Sequence, residues 1–170
     1  MRDHEGPPGE PQDDPDDAAA LARHAAALAD AVDAAVPRWI DGAIRRVLAE
    51  QRIAVDDELD ARIRRAAAEA GAEGGRRVRA LLTTDIDAQA GNPLAILRSL
   101  VRHATPVLRQ AGARPAPRDE FRERVFPDDV YDLSPATFAD VDPSLHEPGI
   151  VWGAAKAHVH LARRRREGRR

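Results

Sequence analysis

Apolar residues recur every three or four positions along much of the chain between residues 21 and 104, and many of them are alanine. Leu21, Ala25, Leu28 and Val32 form the first such stripe. This spacing places side chains on one face of an α-helix. Alanine gains little free energy on burial, whereas a large aliphatic side chain gains about 1.5–3 kcal/mol. The chain is therefore predicted to be all-α, a small bundle of antiparallel helices with a thin core and close helix contacts.

Prolines, glycines and capping residues divide this pattern into elements. Pro37 predicts either one kinked helix or two helices with a corner at Val36–Pro37, because proline lacks a backbone N–H. Three glycines within the next stripe mark a weak point or a face that another helix approaches closely, at Gly71, Gly74 and Gly75. Asp56 and Asp57 are expected to cap the helix that carries this stripe. Asn92–Pro93 is a helix start, with asparagine at the cap and proline at the first helical position.

The sequence predicts four parts. Residues 1–15 combine acids with prolines and should form a disordered tail. Residues 16–114 form the helical body. Residues 115–150 form an irregular, aromatic- and proline-rich segment packed on that body. Residues 151–170 form a C-terminal helix with an arginine-rich tail, although the alternation over 157–161 also allows a short strand.

The aromatic side chains are concentrated in residues 118–152, which leaves only Trp39 elsewhere. Aromatic residues and arginine are enriched at protein interfaces, so this segment is predicted to bind another protein. The predicted binding residues are Phe121, Arg122, Phe126, Asp129, Tyr131, Phe138 and Trp152. Trp152 is expected to anchor the segment, and Arg122 and Asp129 are expected at the surface. The alternative is that the rings cap the thin helical core.

A run of arginines near the C-terminus suggests a second functional class, a nucleic-acid or ribosome-associated protein. The predicted phosphate contacts are Arg163, Arg164, Arg165 and Arg166. A structural interpretation competes with this one, since cations stabilise a helix C-terminus through its dipole. The net charge of the whole chain is −3, which does not favour nucleic-acid binding.

The third class is an enzyme that uses acids and histidines between residues 142 and 160, chiefly Asp142, His146 and Glu147. No nucleophile elbow or phosphate-binding glycine loop accompanies them, so the chain is interpreted as non-enzymatic. His158 and His160 are two residues apart, which places them on opposite sides of a helix and argues against a metal site. The alternating residues at 140–144 lack the glycine and glutamate of a calcium loop. No cofactor or metal is predicted.

The remaining composition limits where the protein works. The chain has no cysteine, which excludes disulfides and thiolate chemistry. Neither a signal peptide nor an apolar stretch of about 18 residues is visible, so a cytoplasmic protein without a membrane partner is expected. The alanine-rich stripes could also serve a homodimer, because a chain with few large apolar residues gains from sharing a core. The leading prediction is a non-enzymatic, protein-binding or regulatory helical protein.

Overall fold

A computed structural model describes residues 15–83 and 93–145 of the chain. These residues form five α-helices: α1 (Pro15–Glu50), α2 (Asp57–Thr83), α3 (Pro93–Ser99), α4 (Ala104–Gln110) and α5 (Glu120–Val125). Short 3-10 segments lie at Leu100–His103, Phe138–Asp140 and Pro143–Leu145. Within the described ranges there is no β-strand, and the predicted all-α class is confirmed for them. The predicted C-terminal helix and residues 1–14 of the predicted acidic tail lie outside the described residues.

Helix α1 continues through Pro37 as a single element, so the alternative of two separate helices is wrong. A proline in a helix leaves the carbonyl four residues earlier without its usual N–H donor. In α1 this carbonyl belongs to Asp33, and it faces α2 near Gly71. The proline and the carbonyl that it leaves free are therefore both turned towards the second helix.

Helix α2 begins where the sequence predicts. The Asp56 carboxylate accepts a hydrogen bond from the Leu59 N–H at 2.7 Å, and its backbone carbonyl accepts one from the Asp60 N–H at 2.9 Å. An aspartate in this position satisfies N–H groups that have no partner within the helix. The short connection 51–56 then reverses the chain between α1 and α2.

Cross-helix contacts define the directions of the helices. Arg45 pairs with Asp60 at one end of the α1–α2 pair, and Arg79 pairs with Asp30 at the other, so these helices are antiparallel. The segment from α3 to α4 runs antiparallel to α2. Arg77 donates to the Ser99 hydroxyl at 2.5 Å near the start of that segment, and Arg62 donates to the Gln110 side chain at 3.3 Å near its end.

Two glycines of α2 permit close contacts with the apolar side chains of neighbouring elements. A Cβ atom at Gly71 would lie 2.5 Å from Cγ of Pro37, closer than real Cβ atoms approach. A Cβ atom at Gly74 would lie 2.9 Å from a methyl carbon of Leu100 and 3.3 Å from one of Val32. Gly74 is thus the point where α1, α2 and the 3-10 segment Leu100–His103 meet. Of the two sequence interpretations of these glycines, close helix approach is the one observed.

The core lies between α1, α2 and the α3–α4 segment, and of the first predicted stripe it includes Val32. Large aliphatic side chains are fully buried along all three helical segments, with alanines filling the closer contacts between them. The largest of the fully buried residues are Ile40, Ile44, Leu48, Ile63, Leu97, Leu100, Leu108 and Leu145. Each contributes about 1.5–3 kcal/mol of transfer free energy. Leu145 brings the last described turn of the irregular segment into the same core.

We predict that Gly71→Ala lowers the free energy of unfolding by about 1–3 kcal/mol, because the new methyl group overlaps the rigid Pro37 ring. The matched control is Gly42→Ala on the exposed side of α1, where nothing lies within 4 Å of the new Cβ. That change should raise stability by up to about 1 kcal/mol through helix propensity. Denaturant unfolding of both variants measures the difference. Equal effects of the two substitutions would contradict a close contact at Gly71.

Candidate functional site

Hydrogen bonds and an ion pair hold the irregular segment that follows α4 in place, and they use side chains of the segment as well as side chains of the helices. The Tyr131 hydroxyl donates to the Ala113 carbonyl at 3.2 Å. Arg98 of α3 donates to the carbonyls of Pro135 and Ala136 at 2.9 and 3.1 Å. Arg38 of α1 forms a 2.8 Å ion pair with Asp142. Residues 135–142 are therefore held against α1 and α3, and Tyr131 is held by the connection that follows α4.

Asp129 organises the turn that carries Tyr131. Its two carboxylate oxygens accept hydrogen bonds from the N–H groups of Leu133 at 2.8 Å and Ser134 at 2.7 Å. The residue is only 8% exposed, so the expectation of a surface carboxylate is wrong. Both oxygens are engaged by backbone donors, because a buried carboxylate without hydrogen bonds would be strongly unfavourable.

Helix α5 is held in place by capping and by an arginine clamp. The Asp119 carboxylate caps its first turn by accepting from the Arg122 N–H at 2.8 Å. At the other end, the Arg118 guanidinium donates to the carbonyls of Arg122 and Pro127 at 3.0 Å each, and also to that of Phe126. These carbonyls lie at and beyond the last turn, where few helical N–H groups are available. Two of them also accept a backbone N–H: the Arg122 carbonyl from Phe126 at 2.9 Å and the Phe126 carbonyl from Asp129 at 3.2 Å. Helix α5 has only six residues, so these side-chain hydrogen bonds contribute much of what holds it in place.

Helix α5 also turns two large apolar side chains to solvent. Phe121 is 61% exposed and Val125, four residues later, is 45% exposed. Residues spaced by four lie on the same side of a helix. We call these two residues the α5 face. Exposed charged residues adjoin it in the sequence at Glu120 and Arg124.

The predicted binding residues fall into three groups. Phe121 and Arg122 lie on α5, where Arg122 forms an ion pair with Asp132. Phe126 and Phe138 are half-buried, and the Arg98 guanidinium lies 5.5 Å from the centre of the Phe126 ring. Asp129 and Tyr131 are buried within the segment.

Trp152 and the predicted nucleic-acid contacts, Arg163 to Arg166, lie outside the described residues, so their roles stay predictions. The structure places most of the other rings inside or against the protein and leaves one ring, Phe121, at the surface. Val125 was missed by the sequence reasoning, although its spacing of four from Phe121 among charged residues was a usable signal.

The acids considered for catalysis or metal binding have structural partners. The Asp140 carboxylate accepts from the Thr137 N–H at 2.7 Å. Hydrogen bonds from Ser144 and Arg38 lower the pKa of the Asp142 carboxyl to about 2, so it is ionised at neutral pH. Within residues 15–83 and 93–145, no three His, Asp or Glu side chains are grouped to hold a metal ion. His146, Glu147, His158 and His160 lie outside the described residues.

Comparisons with known proteins leave the functional class open. No protein-family model, curated protein or solved structure matches this chain. None of the helices in the described part of the chain combines the length and apolar character needed to cross a membrane. The functional conclusion therefore depends on the surfaces that the described residues present.

We predict that Asp129→Ala destabilises the irregular segment, because the buried Leu133 N–H loses its acceptor at a cost of about 1–3 kcal/mol and the partly buried Ser134 N–H loses its acceptor as well. Trypsin should then cleave after Arg122 and Arg124 faster than in the parent protein. The matched control is Asp128→Ala, which removes a neighbouring exposed carboxylate and should leave the cleavage rate unchanged. Equal protease resistance in both variants would contradict the organising role of Asp129.

Proposed function

We propose that this protein is a non-enzymatic binding protein that recognises another protein through the α5 face. The observation that carries the proposal is the 61% exposure of Phe121 on a helix whose position is fixed. An exposed phenylalanine gains about 1.5–3 kcal/mol when a partner covers it. Val125 on the same side enlarges the area that the partner can bury.

The rigidity of α5 favours binding as much as its apolar side chains do. Association is opposed by the loss of conformational freedom in the segments that become ordered. Helix α5 is already ordered by the Asp119 cap, the Arg118 clamp and the Arg122–Asp132 ion pair. A partner therefore meets Phe121 in a defined orientation, on an irregular segment supported by a helical body, which is where recognition residues commonly lie.

The expected partner surface follows from the chemistry of the α5 face. Phe121 requires an apolar pocket about the size of one aromatic ring. The adjoining Glu120 and Arg124 carry charges of opposite sign, so the rim of the pocket should be polar and mixed in charge. Interfaces with a buried aromatic anchor and a polar rim are typical of specific protein recognition.

The proposal predicts that Phe121→Ser weakens partner binding about ten-fold or more without changing thermal stability, since the lost side chain is exposed in the free protein. The matched control is Val55→Ser, which removes another exposed apolar side chain (38% exposed) from the connection between α1 and α2. This control should leave both binding and stability unchanged.

The partner can be trapped by placing the photo-crosslinking residue p-benzoylphenylalanine at position 121, with position 55 as the control, in the cells that make the protein. A discrete protein adduct from position 121 alone supports the proposal, and mass spectrometry identifies it. An adduct formed with a second copy of this chain would make the α5 face a homodimer contact. No adduct, or the same adducts from both positions, contradicts binding through α5.

A further inference from the structure

A concave surface lies between α2 and α4 and shares no residues with the α5 face. It is a groove with a volume of about 400 Å³, within the range of small-ligand sites. Part of its lining is apolar and consists of Ala66 of α2 with Pro106 and Val107 of α4. The groove is open to solvent along its length.

The polar lining of the groove is mainly cationic. Arg62, Arg65 and Arg102 contribute guanidinium groups, whereas Glu69 contributes the one carboxylate among its described lining residues. Arg65 is exposed and forms no ion pair with any described residue, so its charge is available to a ligand. Arg62 is steadied by Gln110, which also lines the groove.

Glu73 of α2 does not line the groove but forms hydrogen bonds with two residues that do, Arg102 and His103. Its side chain is only 13% exposed and accepts hydrogen bonds from Arg102 at 2.5 Å, Arg77 at 3.1 Å and His103 at 2.8 Å. Burial alone would raise the pKa of the Glu73 carboxyl, but hydrogen bonds from His103 and Arg102 outweigh burial and lower it. Glu73 therefore stays ionised and orients Arg102 and His103, both of which line the groove.

We propose that this groove binds a small organic anion, a carboxylate or phosphate monoester attached to an apolar body. A guanidinium group can donate two parallel hydrogen bonds to a carboxylate or phosphate, and Arg65 and Arg102 flank the groove from different helices. The apolar lining at Ala66, Pro106 and Val107 takes the body of the ligand. Glu73 acts as a positioning residue, because it contacts Arg102 and His103 rather than the ligand.

Calorimetric titration of the full-length protein tests this site with named probes: phenyl phosphate, benzoate, inorganic phosphate and the neutral benzyl alcohol. We expect phenyl phosphate or benzoate to bind more tightly than either inorganic phosphate or benzyl alcohol. The stronger of the two aromatic anions identifies the preferred head group. Binding of inorganic phosphate as tight as that of phenyl phosphate contradicts a role for the apolar lining. No binding of any anion up to about 10 mM overturns the proposal.

Two variants separate the groove from the arginines elsewhere in the chain. Arg65→Gln should weaken binding of the aromatic anion about ten-fold, because a charge-assisted hydrogen bond is lost. The matched control is Arg46→Gln, which removes an exposed arginine of α1 that does not line the groove, and it should leave the affinity unchanged. Equal weakening by both substitutions would mean non-specific charge attraction and would overturn the proposed site.

The Glu73→Gln substitution distinguishes positioning by Glu73 from a simple charge effect, because the two explanations predict opposite changes in anion affinity. The substitution removes a negative charge beside the groove, so simple electrostatics predicts tighter anion binding. Positioning by Glu73 predicts weaker binding, because the neutral amide keeps only one acceptor oxygen in place of the two that hold Arg102 and His103. A melting curve confirms that the variant is folded. Tighter binding in the folded variant would contradict the positioning role.

Discussion

The contact between α1 and α2 at Pro37 and Gly71 determines how the rest of the described chain can pack. There the two backbones are so close that a methyl group on α2 would overlap the Pro37 ring. Gly74, one turn further along α2, admits Val32 and Leu100 together, so the α3–α4 segment packs into the same junction. Close packing gains dispersion energy from many small contacts, and a core with many alanines depends on it. The groove between α2 and α4 is lined by elements that meet at this junction.

Ion pairs around the junction fix which residues face one another rather than supplying most of the stability. Arg45 connects Asp41 and Asp60, and these carboxylates raise the pKa of its guanidinium group. Arg79 joins Asp30 and Asp33 at the other end. These side chains are partly exposed, and pairs of this kind contribute little individually. Glu73 differs from these pairs because its side chain is more buried. From α2 it contacts Arg102 and His103, which line the groove.

The sequence predicts the helical class, the Asp56 cap and the close approach at the glycines because each depends on residues near one another in the chain. It does not predict which aromatic residue is exposed, since that depends on what the rest of the chain leaves uncovered. Tyr131 and Phe121 look alike as sequence, yet the Ala113 carbonyl and the core bury only Tyr131. The sequence suggests that Asp129 is exposed, and it does not reveal the burial because the partners of this carboxylate are two backbone N–H groups, which have no sequence pattern. The groove combines Arg65 with Arg102, which are distant in sequence and meet only through the fold.

Native-state hydrogen exchange tests most directly whether the α1–α2 junction supports the whole fold. If it does, the amides of residues 32–48 in α1 and 63–78 in α2 exchange only through global unfolding. With increasing denaturant, their opening free energies converge on a single value. The amides of α5 open at a lower free energy, because α5 is attached to the body without being part of its core. The account is contradicted if the amides around Gly71 and Gly74 exchange by local opening while those of α1 stay protected.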